Sequence, residues 1–479
     1  MNPKSFIGRT RELEKLFTLH KKKIQSLVVV KGRRRIGKSR LISEFAAKLP
    51  QNKFWSFAGL APQEGITAQT QRDYFARQLS SLLKLPPMTF QDWNDAFEHL
   101  SLHIQEGDIV LFDEISWMGA KDPTFIPKLK TWWDKQAVSI IGVLCGSVST
   151  WIEENILKNT AFFGRVTLVL TLEPLSILES TQLLRAVGFQ GSSHEIYRVL
   201  GVLGGVPWYL EQVTSGLTSD TLIKQLCFEK DGLLVLEFDR IFHDLFNGKG
   251  AVYKKILNVL KDGMKTLAEI RKDISFPHSG TLSTLMEHLI TAGFVKKQSL
   301  WSFKTIKPLK QSLYRISDPY LRFYLKVIEP NRSKIDLDAF VDISISQLQG
   351  FESHMGLQIE YLLLQNRTLL LNKIGIPANE VVVDGAYRQS STAHKVGCQI
   401  DYLVQTATKN LFICEFKFNS REIGIDIIHQ MQSKIKALKI PKGYAAVPVL
   451  FHIGGVSSMV EMNDYFYRII DIGDFLTEI

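Results

Sequence analysis

The sequence predicts an α/β protein: a parallel sheet flanked by helices, then a helical subdomain, a winged-helix arrangement and a second, C-terminal α/β domain. Three observations carry this. Over residues 1–175, apolar β-rich runs at 27–31, 52–57, 109–112, 139–145 and 166–170 alternate with helical stretches, the rhythm of strands lying parallel with helices on both faces. Residues 176–248 lose the strands and read as a small helical lid domain. From 249 onward the pattern changes twice, giving a winged-helix domain and connector at 249–333 and a last domain at 334–479.

The winged-helix reading rests on helical pieces at 252–260, 266–272 and 280–291, followed by Ala292-Gly293-Phe294-Val295, a tight turn into a strand. The connector holds two breakers, Ser317-Asp318-Pro319 and Glu329-Pro330-Asn331. In the last domain a helix at 351–366 precedes strands at 380–383, 400–404 and 411–416, a helix at 425–438 and a strand at 447–451. No repeat or low-complexity tract interrupts the order.

Composition bounds the function. The chain has 479 residues, 45% hydrophobic and 22% charged, which excludes wholesale disorder and fibrous structure. No apolar run approaches the roughly 18 residues of a membrane helix, and the first residues lack the apolar core of a secretion signal, so a cytoplasmic protein with no membrane partner is expected. Cys145, Cys227, Cys398 and Cys414 are scattered, without zinc or redox spacing; Cys145, Cys398 and Cys414 lie in apolar runs and are expected as buried thiols. The net charge of +10 is concentrated in residues 1–60, with 15 Lys and Arg against 3 Asp and Glu, which points to an anionic partner.

Gly32-Arg33-Arg34-Arg35-Ile36-Gly37-Lys38-Ser39 fits G-x-x-x-x-G-K-[ST] between a strand and a helix beginning at Arg40, the context of a phosphate-binding loop. Residues 32–40 would surround the phosphates of ATP, with Lys38 on the β and γ phosphates and Ser39 on Mg2+. Downstream, Asp108-Ile109-Val110-Leu111-Phe112-Asp113-Glu114 is an apolar strand ending in two carboxylates. Alone it could be a buried strand with a solvated acidic end. After a phosphate loop, Asp113 is placed to hold Mg2+ and Glu114 to polarise the attacking water.

With these motifs the chain resembles the prokaryotic AAA-type P-loop ATPases of the archaeal group, related to the STAND signalling NTPases. Phe6-Ile7-Gly8-Arg9-Thr10-Arg11-Glu12-Leu13 matches the motif before the first strand, and Cys145-Gly146-Ser147 closes the sensor strand. Phe163-Gly164-Arg165, Glu173-Pro174-Leu175, Gly204-Gly205-Val206-Pro207-Trp208-Tyr209-Leu210 and the segment from Tyr314 to Phe323 continue the match. The resemblance implies that Ser147 senses the γ-phosphate, that Arg165 contacts phosphate in its own or a neighbouring subunit, and that Pro207 packs near the base. Read without it, Ser147 is a helix cap and Arg165 a surface charge. A homo-oligomer is compatible with this family.

A second candidate site lies near the C-terminus. If the turn between two strands centres on Thr408, residues whose numbers sum to 816 face each other, so Asp401 lies opposite Glu415. Asp401, Glu415 and Lys417 then share one face, and Tyr402, Val404, Phe412, Cys414 and Phe416 the other, apolar one. Two readings stay open: an exposed, salt-bridged hairpin, or carboxylates holding a divalent metal through Asp401 and Glu415, with Lys417 beside them, against a phosphodiester.

The element order, with Glu360 on the preceding helix and Gln430 on the following one, is similar to the PD-(D/E)xK restriction-endonuclease-like fold. That resemblance makes Asp401, Glu415 and Lys417 catalytic. Gln399 stands where relatives commonly carry an acid. Residues 335–479 hold 12 Lys and Arg against 16 Asp and Glu, a poor footprint for DNA binding by this domain alone. The candidate recognition helix, 280–291, has no Arg or Lys, which favours a structural or switch role for the winged helix over sequence reading, and Lys296 and Lys297 are its only basic wing residues in the 292–297 turn.

The expected function is a Mg2+-dependent ATPase whose nucleotide state controls a nuclease-like domain acting on DNA. The alternative is a non-cleaving STAND-type switch whose last domain binds a regulatory protein or nucleic acid.

Overall fold

The computed structural model describes residues 6–477 apart from 62, 148, 247–249, 278–279, 302–307, 390, 392–395 and 439. The chain forms two compact units: residues 1–174 with 291–293, and residues 175–290 with 294–479.

In the first unit five strands form one parallel sheet: β1 (Ser26–Lys31), β2 (Phe54–Ala58), β3 (Ile109–Asp113), β4 (Ile141–Gly146) and β5 (Val166–Thr171), in the order β2-β3-β4-β1-β5. The near-continuous apolar run of β1 follows from burial on both faces. Val28 and Val30 join Leu16, Leu41, Ile42 and Phe45 on one side, whereas Leu27 and Val29 face an aromatic cluster on the other. That cluster includes Trp55, Phe57, Phe75, Trp93, Phe97, Phe112 and Trp132, with Trp93 and Phe97 5.4 Å apart. Each fully buried ring contributes about 1.5–3 kcal/mol by leaving water.

At the N-terminal edge of the sheet, buried Asp108 accepts from Trp55 Nε1 (2.9 Å), Lys53 N (2.9 Å) and Gln105 N (3.0 Å), fixing β2 against β3. The carboxylate that opens the Asp108–Glu114 motif is thus structural.

The second unit begins with the helices Ile177–Ala186 and Ser193–Leu203, each started by a capping box, Ser176 with Glu179 and Ser192 with Glu195. After the helices Pro207–Leu210, Ser219–Cys227 and Glu237–Phe246 come Gly250–Leu260, Leu267–Asp273 and Thr281–Thr291, and an antiparallel sheet of β6 (Lys265–Thr266), β7 (Val295–Trp301) and β8 (Pro308–Ile316) in the order β6-β8-β7.

A mixed sheet closes the chain: β9 (Val381–Gln389), β10 (Cys398–Thr406), β11 (Asn410–Lys417), β12 (Ala445–His452) and β13 (Arg468–Asp471), in the order β13-β12-β11-β10-β9. β9, β10 and β11 are antiparallel neighbours, and β11, β12 and β13 run parallel. The short β13 was not expected from the sequence.

The helices Phe351–Gln365 and Asp426–Ala437 flank the carboxylate end of this sheet. Gly201, on helix Ser193–Leu203, lets helix Phe351–Gln365 come close: a Cβ there would lie 2.5 Å from Met355 Cε and 3.1 Å from Ile359 Cδ1. Among the described residues no helix is long and apolar enough to cross a membrane.

All four cysteines are free; Cys145, Cys227 and Cys414 are buried. Cys398, expected as a buried thiol, is only half-buried, because it opens β10 beside the helix Asp426–Ala437, where its thiol donates to Lys434 O (3.6 Å).

Candidate nucleotide site and C-terminal carboxylate site

The loop after β1 turns at two glycines. A Cβ on Gly32 would lie 2.7 Å from Leu172 O, and Gly37 caps the helix Lys38–Ala47 with φ 88°, in the left-handed region. Ile36 is fully buried and anchors the loop in the core. Arg9, from the motif before β1, donates from Nη2 to Ile36 O (3.2 Å). Its part in the site was visible in sequence only as membership of that motif.

Lys38 is buried and donates from Nζ to Gly32 O (3.1 Å) and Arg33 O (3.0 Å). The ammonium is thereby aimed into the loop, where phosphate oxygens can replace the carbonyls as acceptors. Ser39 Oγ donates to Asp113 Oδ2 (2.5 Å), so the expected Mg2+ partners already touch. They form a pair of hard oxygen donors, chemistry that suits Mg2+.

Glu114 sits in the left-handed region at φ 48°. Its carboxylate accepts from Ser147 Oγ (2.8 Å to each oxygen) and from Ser147 N (3.1 Å). Ser147 therefore binds a carboxylate. Lys38, Ser39, Asp113, Glu114 and Ser147 all lie at the C-terminal ends of β1, β3 and β4, where parallel sheets place ligands. Arg33, Arg34, Arg35 and Arg40 lie on the loop and the first turn of the helix.

One expected residue stands at the opposite end of the sheet. Arg165 precedes β5, whose register pairs Val166 with Leu27 and Thr171 with Lys31. It is thus at the far end of the sheet from its own phosphate loop, about 16 Å away along the strands. There its Nε and Nη2 hold Asp134 at 2.6 and 2.9 Å, and that hydrogen bond pulls the Asp134 carboxyl down to about 2. Pro207 lies in the second unit, at the first position of the short helix Pro207–Leu210.

In the C-terminal domain β10 and β11 pair Tyr402 with Cys414, Leu403 with Ile413 and Val404 with Phe412, the register in which numbers sum to 816. The hairpin is not exposed. Leu403, Leu411 and Ile413 are as buried as Tyr402, Val404 and Cys414, and Glu415 is 4% exposed. The helix Asp426–Ala437 covers the face on which the sequence placed only polar residues, through Ile427, Ile428 and Met431.

Glu360, Asp401, Glu415 and Lys417 line one cavity of about 320 Å³, with Phe416, Phe418 and Phe451. Asp401 Oδ2 accepts from Phe416 N (2.9 Å), and Lys417 Nζ lies 3.0 Å from Glu415 Oε1. Burial, reinforced by Glu415, raises the Asp401 carboxyl to about 6. Burial, then Asp401, raises Glu360 to about 8 against the opposing charges of Arg322 and Arg315. Glu360 Oε1 is buried without a hydrogen-bond partner. These are hard oxygen donors of the kind Mg2+ or Mn2+ takes. Among the described residues no three Asp, Glu, His or Cys side chains form a metal cage by themselves, so water or phosphate oxygens would have to complete any coordination.

Gln430, expected as a supporting polar residue, is exposed. One turn on, Lys434 pairs with Glu415 Oε2 in its place. Helical spacing from Ile427 and Met431 was the signal for Lys434. The segment from Tyr314 to Phe323 contributes Arg315 and Arg322, both buried, stacked on Tyr361 at 4.7 and 4.1 Å.

A raised carboxyl pKa has a sign. Below pH 4.5, the ordinary value for Glu360, folded and unfolded chains both hold the proton; from there to about 8 only the folded chain does. Resistance of the second unit to denaturant is therefore expected to fall as pH rises through this window. Glu360→Gln should flatten that fall in midpoints measured at pH 5, 6.5 and 8; an unchanged slope would refute the assignment.

Comparison with known proteins bears on the first part of the chain. Residues 6–213 match the model of a family described as an ATPase domain predominantly from Archaea. The chain carries an archaeal-type ATPase domain. Beyond that domain, the uncharacterized protein MJECL04 of Methanocaldococcus jannaschii is 26% identical over 359 residues, 72% of this chain and 75% of the relative.

Among solved structures, the Walker-type ATPase paby2304 of Pyrococcus abyssi is similar at 18% identity and TM-score 0.45, covering 67% of this chain and 96% of that one. The ORC2 protein of Aeropyrum pernix, solved with ADPNP and ADP, follows at 14% identity and TM-score 0.42, covering 71% and 97%. The ATPase family match ends inside the second unit, so its helical part packs with the C-terminal domain.

Proposed function

We propose that this protein is a Mg2+-dependent ATPase whose nucleotide state controls a nuclease-like C-terminal domain acting on DNA. The observation that carries the first half is the convergence of Lys38, the Ser39–Asp113 pair and the Ser147–Glu114 pair at one edge of the parallel sheet. Ser39 and Asp113 would hold Mg2+, which supplies positive charge against the phosphates when bound. Lys38 holds the β and γ phosphates. A γ-phosphate that accepts the Ser147 hydroxyl frees Glu114 to orient water, which makes the serine both sensor and release catch. Arg165, turned away from its own loop, is left for a neighbouring subunit's phosphate.

Control has a physical route inside the second unit. Helix Ser193–Leu203 touches helix Phe351–Gln365, which carries Glu360, and His194 stacks on Phe418 at 4.7 Å and 9°, one residue from Lys417. The three helices and the sheet β6-β8-β7 read as a winged helix with a structural role between them, and the last domain as PD-(D/E)xK-like. The second reading, a STAND-type switch whose last domain binds a partner without cutting, is favoured by Gln399 and by the two lysines on Glu415.

Cleavage of plasmid and single-stranded DNA with Mg2+ or Mn2+, with and without ATP, separates them. Cleavage lost in Asp401→Asn and altered in Lys38→Ala supports ATP-controlled cutting. ATP turnover without cleavage under any condition supports the switch.

A further inference from the structure

We propose that Lys434 holds the place between Asp401 and Glu415 that a divalent cation would take, so that a metal enters this site only when the Lys434 ammonium withdraws. The proposal rests on the nuclease-like reading of the C-terminal domain and adds to it a residue that resemblance does not supply.

Helix Asp426–Ala437 fixes where Lys434 starts. Ile427, Ile428 and Met431 are buried against the sheet, and Lys434, three residues after Met431, leaves the helix on that inward side. Its carbonyl is held by the Cys398 thiol at the start of β10. Its ammonium meets Glu415 Oε2 while Lys417 meets Oε1 at 3.0 Å, so both oxygens of this carboxylate are already engaged by cations.

The same ammonium acts on Asp401 through space. Burial alone would depress Lys434, but Glu415 and Asp401 together raise it, and in return its charge favours ionised Asp401. Glu360 Oε1, lining the same cavity from the other helix, is buried with nothing donating to it. That orphaned oxygen is an independent sign that the cavity is built to receive a cation.

Electrostatics makes the two occupants exclusive. A divalent ion beside a retained ammonium would place like charges a few ångströms apart in a poorly screened interior, where they repel strongly. The lysine has somewhere to go: its side chain is 29% exposed, against 5% for Glu415, and the four-carbon stem is flexible.

The test is Mn2+ binding by calorimetry to the full-length, nucleotide-free protein. Lys434→Gln and Lys434→Met, which keeps the stem without the charge, are expected to bind at least tenfold tighter than wild type at a site that Asp401→Asn removes; Lys434→Arg is expected to stay within threefold of wild type. Asp401-dependent binding that is unchanged or weaker in both neutral variants overturns the proposal and leaves the cation site standing. No Asp401-dependent binding in any variant overturns the cation site as well, and the proposal with it.

Discussion

Lys38→Ala is expected to lower ATP turnover at least about 100-fold, the scale on which removing a positioned charge from a phosphoryl-transfer site acts. The lysine is buried, and its ammonium is directed by the carbonyls of Gly32 and Arg33, 3.1 and 3.0 Å away, into the space enclosed by the loop. Alanine leaves the two glycine turns and the Ile36 anchor in place, so the loop keeps its shape and loses its charge. Phosphate release at saturating ATP measures the loss. Because the partners of Lys38 in the chain are neutral carbonyls, no buried counter-charge is stranded, and the thermal unfolding of the variant should stay close to wild type. Turnover that survives the substitution would mean that hydrolysis, if present, is carried out elsewhere.

Glu415→Ala is expected to destabilise the second unit by about 1–3 kcal/mol, the scale of losing a hydrogen bond to a charged group whose partners keep some contact with water. Its two oxygens take Lys417 and Lys434, and only 4% of its surface is exposed. Alanine strands both ammonium groups next to a sheet whose neighbouring residues, Ile413 and Leu450, are fully buried. Denaturant unfolding should show a transition that moves to lower concentration. Adding Lys434→Met should recover part of the loss, since the stranded charge goes with it; a double-mutant cycle gives the coupling. A single variant as stable as wild type would show that the pair contributes nothing net.

Much of this was legible in the chain. β1 to β5 lie within two residues of the runs read from alternating apolar segments, because a parallel sheet buried on both faces demands uninterrupted Val, Ile and Leu. The register of Tyr402 against Cys414, one position short of Asp401 and Glu415, followed from the turn at Thr408 and the two-residue period of strands.

What was not legible depended on packing between distant segments. The Asp401 face looked polar because three charged residues mark it, yet helix Asp426–Ala437 covers it, and that cover sets the carboxyl pKa values. Gln430 was chosen by analogy of position, whereas the inward face of the helix, set by Ile427 and Met431, selects Lys434. Arg165 was placed near phosphate by its neighbours in sequence; the direction of β5 puts it at the other end of the sheet.

The close packing at Gly201 bears on how this chain can vary over evolutionary time. A side chain there would displace Met355 or Ile359, which sit more than 150 positions later in the sequence. The helical segment that the ATPase family match includes and the C-terminal domain that it does not are therefore in contact with each other. A different C-terminal domain joined after residue 213 would have to pack against helix Ser193–Leu203 anew. A larger residue at position 201 is expected to shift the flexible ends of Met355 and Ile359, coupling the two segments at this point.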